Sequence, residues 1–535
     1  MPIKSKAFLS IIVLFTLMPL VVILASWGFE SSEIWSHYLG TSFLDSLLFR
    51  WISHTLFLCV GVAIGVSFLG VSLALLVSFY DFPMRKFFSW ALMLPLAMPA
   101  YVMAFVYLGI FDFSGPVQQF LKSIIGDNYQ FFQVRNGASA IIVFSLVLYP
   151  YVFMLARASF LQQGQNTLQA AQSLGLTPFK ALIKVALPIC RPAIIAGIAL
   201  ALMETLADFG AVSVFSFDTF TTAIYKSWYD FKNIHASGQI ASLLLMFVLV
   251  MIVLEKRSRA NASYRQQNIS TGHLMQTSRN KQILMSLFCF VVFSLAFILP
   301  MTQLIIWFIK KSDFFFDPRY FKWVGNTLLL GLLAATLTLI IATFLAWINQ
   351  HFKQSKIWVG LSTLGYALPS SILAIAVMML FAGIDHAIFI PIQKGFNLPI
   401  QPILLGSIFA LLIAYAIRFN AVAFGPMNSG FESIRPSITQ AGQLLGVSGF
   451  KLFKRVHLPI LRPSVYTAFL LVLVDTMKEM PATLLMRPYG WDTLAIKIYE
   501  YTSEGEWELA AVPALTLVCA GLIPVIFLVS KTQHK

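Results

Sequence analysis

The chain has 535 residues, of which 58% are hydrophobic and 11% charged, with a mean hydropathy of +0.80. Soluble domains carry about 25% charged residues, so this composition excludes a chain that covers a large aqueous surface. The formal net charge of +15 is spread over many short loops, which excludes a basic nucleic-acid-binding patch.

A membrane-crossing helix needs about 20 apolar residues. Twelve runs of that kind follow one another: 7–27, 52–79, 87–110, 139–156, 192–216, 236–254, 283–309, 324–348, 357–382, 402–417, 463–486 and 508–530. Their apolar character is continuous and does not alternate, which predicts helices instead of a barrel. The first run follows Lys4 and Lys6 and lacks a small-residue cleavage site, so it reads as an uncleaved anchor. Cys59, Cys190, Cys289 and Cys519 are isolated and predict neither a disulfide framework nor a thiolate metal site. The histidines are equally scattered, and no fixed metal site is expected.

Charge orients the spans. With the N-terminus inside, segments 1–6, 80–86, 156–191, 255–282, 349–356, 418–462 and 531–535 are cytoplasmic. They hold 24 Lys and Arg but only three acids, Asp81, Glu255 and Glu432. The outer loops hold 11 basic and 15 acidic residues. Inner loops rich in Lys and Arg are the rule for membrane proteins, so both termini are expected in the cytoplasm.

The sequence repeats itself at an offset of 271. QAAQSLGLTPFKALIKVALPICRPA at 169–193 returns as QAGQLLGVSGFKLFKRVHLPILRPS at 440–464. Glu204-Thr205 returns as Asp475-Thr476 and Asp208 as Glu479; earlier in the chain, Pro99 of AMPAYVMA matches Pro369. Asp218-Thr219 matches Asp492-Thr493. Residues 1–254 and 283–535 are therefore two six-helix repeats that run the same way through the membrane. The polar stretch 255–282 is their cytoplasmic linker.

The longest cytoplasmic loop of each half is the repeated one. Gln169 to Leu174 favours a helix, Gly175 supplies a stop, and 178–187 resumes an amphipathic helix that Leu187-Pro188 should end. A short helix-turn-helix outside the bilayer is expected, flanked by Lys180, Lys184 and Arg191. It reads as a docking knob for a partner or as a helix resting on lipid headgroups.

This loop, with its alanines, its following glycine and its later Leu-Pro, resembles the EAA loop of binding-protein-dependent ABC importer permeases. The resemblance implies that Gln169, Ala170, Gly175, Gln440, Ala441 and Gly446 are the positions that couple to an ATPase. Gln stands for the family's leading Glu in both halves, and Gly442 for its second Ala. METLADFGAVSVFSFDTFTTAIYKSWY and VDTMKEMPATLLMRPYGWDTLAIKIYE further resemble the fused permeases of bacterial ferric-iron importers. That likeness implies the all-α type I ABC importer permease fold in the bacterial inner membrane. It also implies two copies of a cytoplasmic ATPase and a periplasmic substrate-binding protein as partners. The chain has no Gly-Lys dipeptide and hence no P-loop, so ATP is expected to be used by the partner, and this chain is expected to be neither an enzyme nor a cofactor protein.

Six charged residues fall within the runs: Glu204, Asp208, Asp475, Lys478, Glu479 and Arg487. Glu204 and Asp208 are four apart and share a helix face, and Asp475 and Glu479 repeat it. From Pro192, Glu204 lies about 18 Å along a helix, near mid-bilayer. An ionised carboxylate there costs about 2.5 kcal/mol or more, so it must face water or another charge. Two readings stay open. Glu204, Asp208, Asp475 and Glu479 line a substrate pathway suited to a hard cation that prefers oxygen ligands, or they tie down helix breaks at Gly210 and Pro481, with Lys478 neutralising one acid. Other cargoes of the same machinery (a polyamine, thiamine, a phosphonate, an oxyanion) and a proton-driven carrier are the rival functions. Four carboxylates suit an anion poorly, and a carrier does not need the two long inner loops.

Overall fold

The computed structural model describes residues 3–29, 32–39, 46–126, 131–260, 274–352, 355–447 and 449–533. Among them, twelve helices are long and apolar enough to cross a membrane. In order they are Lys6–Gly28, Leu47–Phe79, Ala100–Ile125, Gly137–Leu161, Pro178–Ala207, Ile234–Val253, Arg279–Lys310, Pro318–His351, Ser370–Gly395, Ile408–Ser433, Gly449–Lys478 and Trp507–Ile526. They are called the first to the twelfth span below. The expected number of runs is met, and several limits move for identifiable reasons.

Proline moves most of them. The third run, 87–110, is not one helix. Arg85–Ala91 and a 3-10 turn at Leu94–Ala97 precede a helix from Ala100 to Phe111. The break is at Pro99, whose ring drives the preceding residue out of the helical region. Met98 is extended, with φ −93° and ψ 122°. Its counterpart Leu368, before Pro369, is extended too, with φ −88° and ψ 131°.

Other prolines stay inside helices. The π-helical turns Leu182–Ala186, Ser294–Ile298, Asp385–Phe389 and Phe453–His457 each end two residues before a proline. Proline lacks an N–H and clashes with the carbonyl four residues back. One extra residue in the turn absorbs that misfit. Leu187-Pro188 therefore does not end the loop helix. The chain runs on from Leu187 to Ala207 as the fifth span.

Two limits move because charge hides apolar sequence. The tenth run stopped at 417, but its helix spans Ile408–Ser433 and carries Arg418 in its interior, buried. Asp385, expected in an outer loop, is buried in the ninth span. It accepts hydrogen bonds from the N–H groups of Ile403, Leu404 and Leu405. Of the linker, 255–260 complete the helix Ile234–Ala260 and 261–273 lie outside the described residues. At its end, Met275 pairs with the chain after the second span, donating to Phe79 O at 2.9 Å and accepting from Asp81 N–H at 3.2 Å.

The described chain forms two compact units that cross the sequence repeats. One holds Met1–His37, Ala223–Leu245 and Asp313–Lys497; the other holds Tyr38–Thr222, Met246–Ser312 and Ile498–Lys535. In the Asp313–Lys497 unit the eighth, tenth and eleventh spans pack together, and the first span lies on the ninth. Leu9 and Val13 of that first span share a core with Leu345, Ile348 and Val359. In the Tyr38–Thr222 unit the second, fourth and fifth spans pack together, and the seventh packs on the twelfth. Small residues let these helices approach. A Cβ on Gly70 or on Gly197 would come within 2.7 Å of Val152 of the fourth span.

Candidate functional site

The two repeated turns are built alike. Helix Gly137–Ser173 ends in a turn where Gly175 N–H donates to Gln172 O and Leu176 N–H to Ala171 O. In the second half a separate helix, Pro436–Leu444, ends where Gly446 N–H donates to Gln443 O and Val447 N–H to Gly442 O. The bond that spans five residues is the mark of a Schellman stop, which needs a left-handed residue. Gly175 has φ +90° and Gly446 φ +78°, and a Cβ on either would meet open space. Gln440 and Ala441 are exposed. Gln169 and Ala170 lie in the last turns of the first helix, and their side chains fall outside the described set.

These turns expose large apolar side chains at repeat-related positions. Leu174 and Leu445 are 87% and 82% exposed, and Phe179 and Phe450 are 67% and 77% exposed. The replacement of the second Ala also has a structural reason. Ala171 is buried, and a Cβ on Gly442 would lie 2.6 Å from Leu452 Cδ1.

The membrane carboxylates sit at two helix breaks. The fifth span ends at Ala207, Asp208 leaves the helical region with ψ 128°, and a short helix runs Gly210–Val214. Asp208 Oδ1 accepts from Ala211 N–H at 2.6 Å and so starts that helix. Glu479 does the same at the end of the eleventh span. Its Oε1 accepts from Ala482 N–H at 3.1 Å, starting Pro481–Met486. The breaks expected at Gly210 and Pro481 are present, two residues beyond each capping carboxylate.

The four acids are not equivalent. Glu479 is 7% exposed, and its Oε2 lies 3.2 Å from Nε of Arg418, a residue the sequence placed in a cytoplasmic loop. Glu204, Asp208 and Asp475 are only half-buried. Asp475, three residues before Lys478, is the acid whose charge bears on that lysine. Glu204 and Asp208 belong to the Tyr38–Thr222 unit, and Asp475 and Glu479 to the Asp313–Lys497 unit.

Sequence reading missed what holds the segment after each break. In one unit His54 Nδ1 lies 2.9 Å from Asp218 O, and Thr55 Oγ1 accepts from Phe220 N–H. In the other, Asn326 Nδ2 donates to Asp492 O at 3.0 Å, and Thr327 Oγ1 accepts from Leu494 N–H at 2.9 Å. Both pairs lie on the second helix of their repeat, one residue out of the 271 register, so they escape an in-register comparison. Tyr225 OH donates to Pro481 O, and Tyr229 OH donates to Leu484 O at 2.7 Å, which fixes the short helix from its other side.

Residues 66–255 and 338–530 each match the binding-protein-dependent transport system inner membrane component family. The chain belongs to that family. The permease is thus a multi-pass protein of the inner membrane, built from two copies of the family's transport domain. It is similar to the Fe(3+)-transport system permease protein FbpB 2 of Haemophilus influenzae, 27% identical with both chains covered completely. It is also 22% identical to the ferric transport system permease protein FbpB of Actinobacillus pleuropneumoniae, over 97% of this chain and 77% of that one. A putative 2-aminoethylphosphonate transport system permease, PhnV of Salmonella typhimurium, is 26% identical over 37% of this permease and 68% of its own length.

Proposed function

We propose that this permease carries ferric iron, delivered by a periplasmic binding protein, into the cytoplasm. Two copies of a separate ATPase drive it by seating on the turns at Gly175 and Gly446, so that ATP is bound and split by the partner and this chain catalyses no reaction. The observation that carries the coupling role is the duplicated turn with its exposed Leu174 and Phe179, Leu445 and Phe450. Large apolar side chains displayed on a rigid turn ask for a covering surface. The iron assignment draws on the whole-length likeness to the Haemophilus permease and on carboxylates in the spans, since hard cations favour oxygen ligands. Both termini lie in the cytoplasm in this reading, on the side of the basic loops.

In the Tyr38–Thr222 unit Glu204 and Asp208 serve the cargo, and in the Asp313–Lys497 unit Asp475 does. Glu479, buried against Arg418, is withdrawn from the set. The test is reconstitution in vesicles with the ATPase and the binding protein. ATP-dependent uptake of ferric iron is expected, and Glu204→Gln and Asp475→Asn lower it about tenfold at unchanged protein level, as for loss of a charge-assisted contact. Uptake driven by a pH gradient without ATPase would overturn the reading. So would transport of a phosphonate in place of iron.

A further inference from the structure

Arg418 occupies the middle of the tenth span and is 7% exposed. A guanidinium buried there needs partners on several sides, because it carries five donors and a charge. Its Nη1 donates to Leu368 O at 2.8 Å, and its Nε lies 3.2 Å from Glu479 Oε2. Leu368 is the extended residue at the break of the ninth span, and Glu479 is the cap at the break of the eleventh. Three residues before Arg418, Tyr415 shares a hydrogen bond of 2.5 Å with Thr483 Oγ1, on the short helix that Glu479 starts. Thr483 Oγ1 also donates to Glu479 O at 2.6 Å. One face of the tenth span therefore grips both breaks of its unit.

Both oxygens of Glu479 are engaged inside the protein, one by Ala482 N–H and one by Arg418. The repeat supplies a comparison. At the offset of 271, Tyr415, Arg418 and Thr483 correspond to Phe144, Val147 and Val212, all buried and apolar. Asp208, the counterpart of Glu479, caps its short helix and remains half-buried. The cap itself forms in both copies, with a valine at the position 271 residues before Arg418.

We infer that Arg418 is a positioning residue: it bridges Leu368 and Glu479, fixes the two breaks of its unit relative to each other, and keeps the Glu479 carboxylate off the cargo. Asp475 is then the acid of this unit that meets the cation. The statement about cargo rests on the ferric reading above. The bridge itself does not.

A double-mutant cycle tests it. Arg418→Met, Glu479→Gln and the pair are purified with their ATPase, and melting in detergent and iron uptake per folded molecule are measured. The amide retains an oxygen for Ala482 N–H and removes only the charge. Each single variant is expected to melt earlier and lose uptake about tenfold, because it strands one buried charge, and the double variant recovers to within about threefold of the natural protein. A double variant that folds but transports as poorly as Glu479→Gln alone would show that the carboxylate itself serves the cargo, and would overturn the inference. So would a Glu479→Gln variant with normal uptake. If the double variant does not fold, Arg418→Lys decides. It keeps the charge but lacks the planar fork that spans two acceptors, and uptake per folded molecule is expected to fall several-fold. Unchanged uptake in Arg418→Lys would reduce Arg418 to a folding element. Melting involves no cargo, so a coupled pair in a chain that fails to move iron would count against the ferric reading alone.

Discussion

At 208–214 and again at 479–486 the permease ends a long helix on a carboxylate, turns, and starts a short helix from that same carboxylate. The surroundings of the two breaks differ. Around Glu479 they are polar: Arg418, Tyr415 and Thr483 bond to the break from the tenth span and from the short helix itself. At Asp208 the carbonyl accepts from Thr221 Oγ1 at 3.0 Å, and the positions 271 residues before Arg418, Tyr415 and Thr483 hold Val147, Phe144 and Val212. What both copies keep is the cap, so capping is what the backbone requires of Asp208 and Glu479. The acids one turn earlier, Glu204 and Asp475, start no helix. That separates two tasks which the shared helix face had merged.

The largest effect is expected from giving the Glu479 break the residue of the other half at a single position. Arg418→Val installs the residue of the other half but leaves Glu479 charged and buried. Removing one partner of a buried pair costs about 3–5 kcal/mol, enough to lower the melting temperature and the yield of folded permease sharply. Adding Glu479→Gln to Arg418→Val should return most of that loss. A permease with Arg418→Val that melts like the natural protein would mean the two breaks do not differ in what holds them.

Much of this architecture is legible from residue order, because membranes leave the backbone few options. The twelve spans, the duplication and the glycine stops all follow from run length, offset and backbone rules. The parts that were not legible share a cause. Arg418 interrupts an apolar run, and a reading by hydropathy places the end of a span at its charge. Only the position of Glu479 in space reveals that the charge is matched. Asp385 was misplaced for the same reason, since its three backbone donors lie 18 to 20 residues further on. The prolines misled in the opposite direction. Pro188 looks like a terminator until a π turn accommodates it, which the sequence does not announce.

The repeated turns offer the next comparison and the next effect. Gly175 and Gly446 hold the same left-handed conformation, although one closes a helix continuous with the fourth span and the other a helix cut loose by Pro436. A residue with a Cβ pays about 1–2 kcal/mol in that conformation, and a β-branched one has the least room to adapt. Gly175→Val and Gly446→Val should each lower stability by that order, with no clash, since nothing lies within 4 Å of either Cβ. Uptake should fall much further than stability, because the displayed Leu and Phe side chains turn away from the ATPase. Copurification of the ATPase with each variant checks this. The effect should be larger at Gly175, where the turn is in rigid register with the span. Equal effects would show that the Pro436 break does not loosen the second knob.

A smaller effect tests the outer hold on the polar break. Tyr229→Phe removes a hydrogen bond to Leu484 O and leaves the ring in place. The net worth of such a bond is about 1 kcal/mol, so a modest drop in melting temperature is expected, with uptake reduced less than twofold. Tyr499, whose ring lies 5.5 Å from that of Phe209 beside the Asp208 break, provides the matching variant. Tyr499→Phe should change stability less than Tyr229→Phe if Tyr499 acts through the packing of its ring on Phe209. A larger loss at Tyr499 would reverse the contrast between the two breaks.

The smallest effect is expected at Gly442, where the two repeated helices differ by one methyl group. Alanine is favoured over glycine in a helix by about 1 kcal/mol, and the first half has Ala171 here, buried. A methyl on Gly442 would meet Leu452 Cδ1 at 2.6 Å, the far end of a flexible side chain, and Val456 at 3.5 Å. Leu452 must move aside, and shifting one buried side chain costs about as much as the helix gains. Gly442→Ala should therefore leave the melting temperature nearly unchanged. Combining it with Leu452→Val shortens the obstructing side chain and should reveal part of the helical gain relative to Leu452→Val alone. If Gly442→Ala destabilises by several kcal/mol and Leu452→Val gives no relief, the glycine is required by the backbone of the second knob and not by its neighbour. The two knobs would then differ in the path of the chain as well as in side-chain packing.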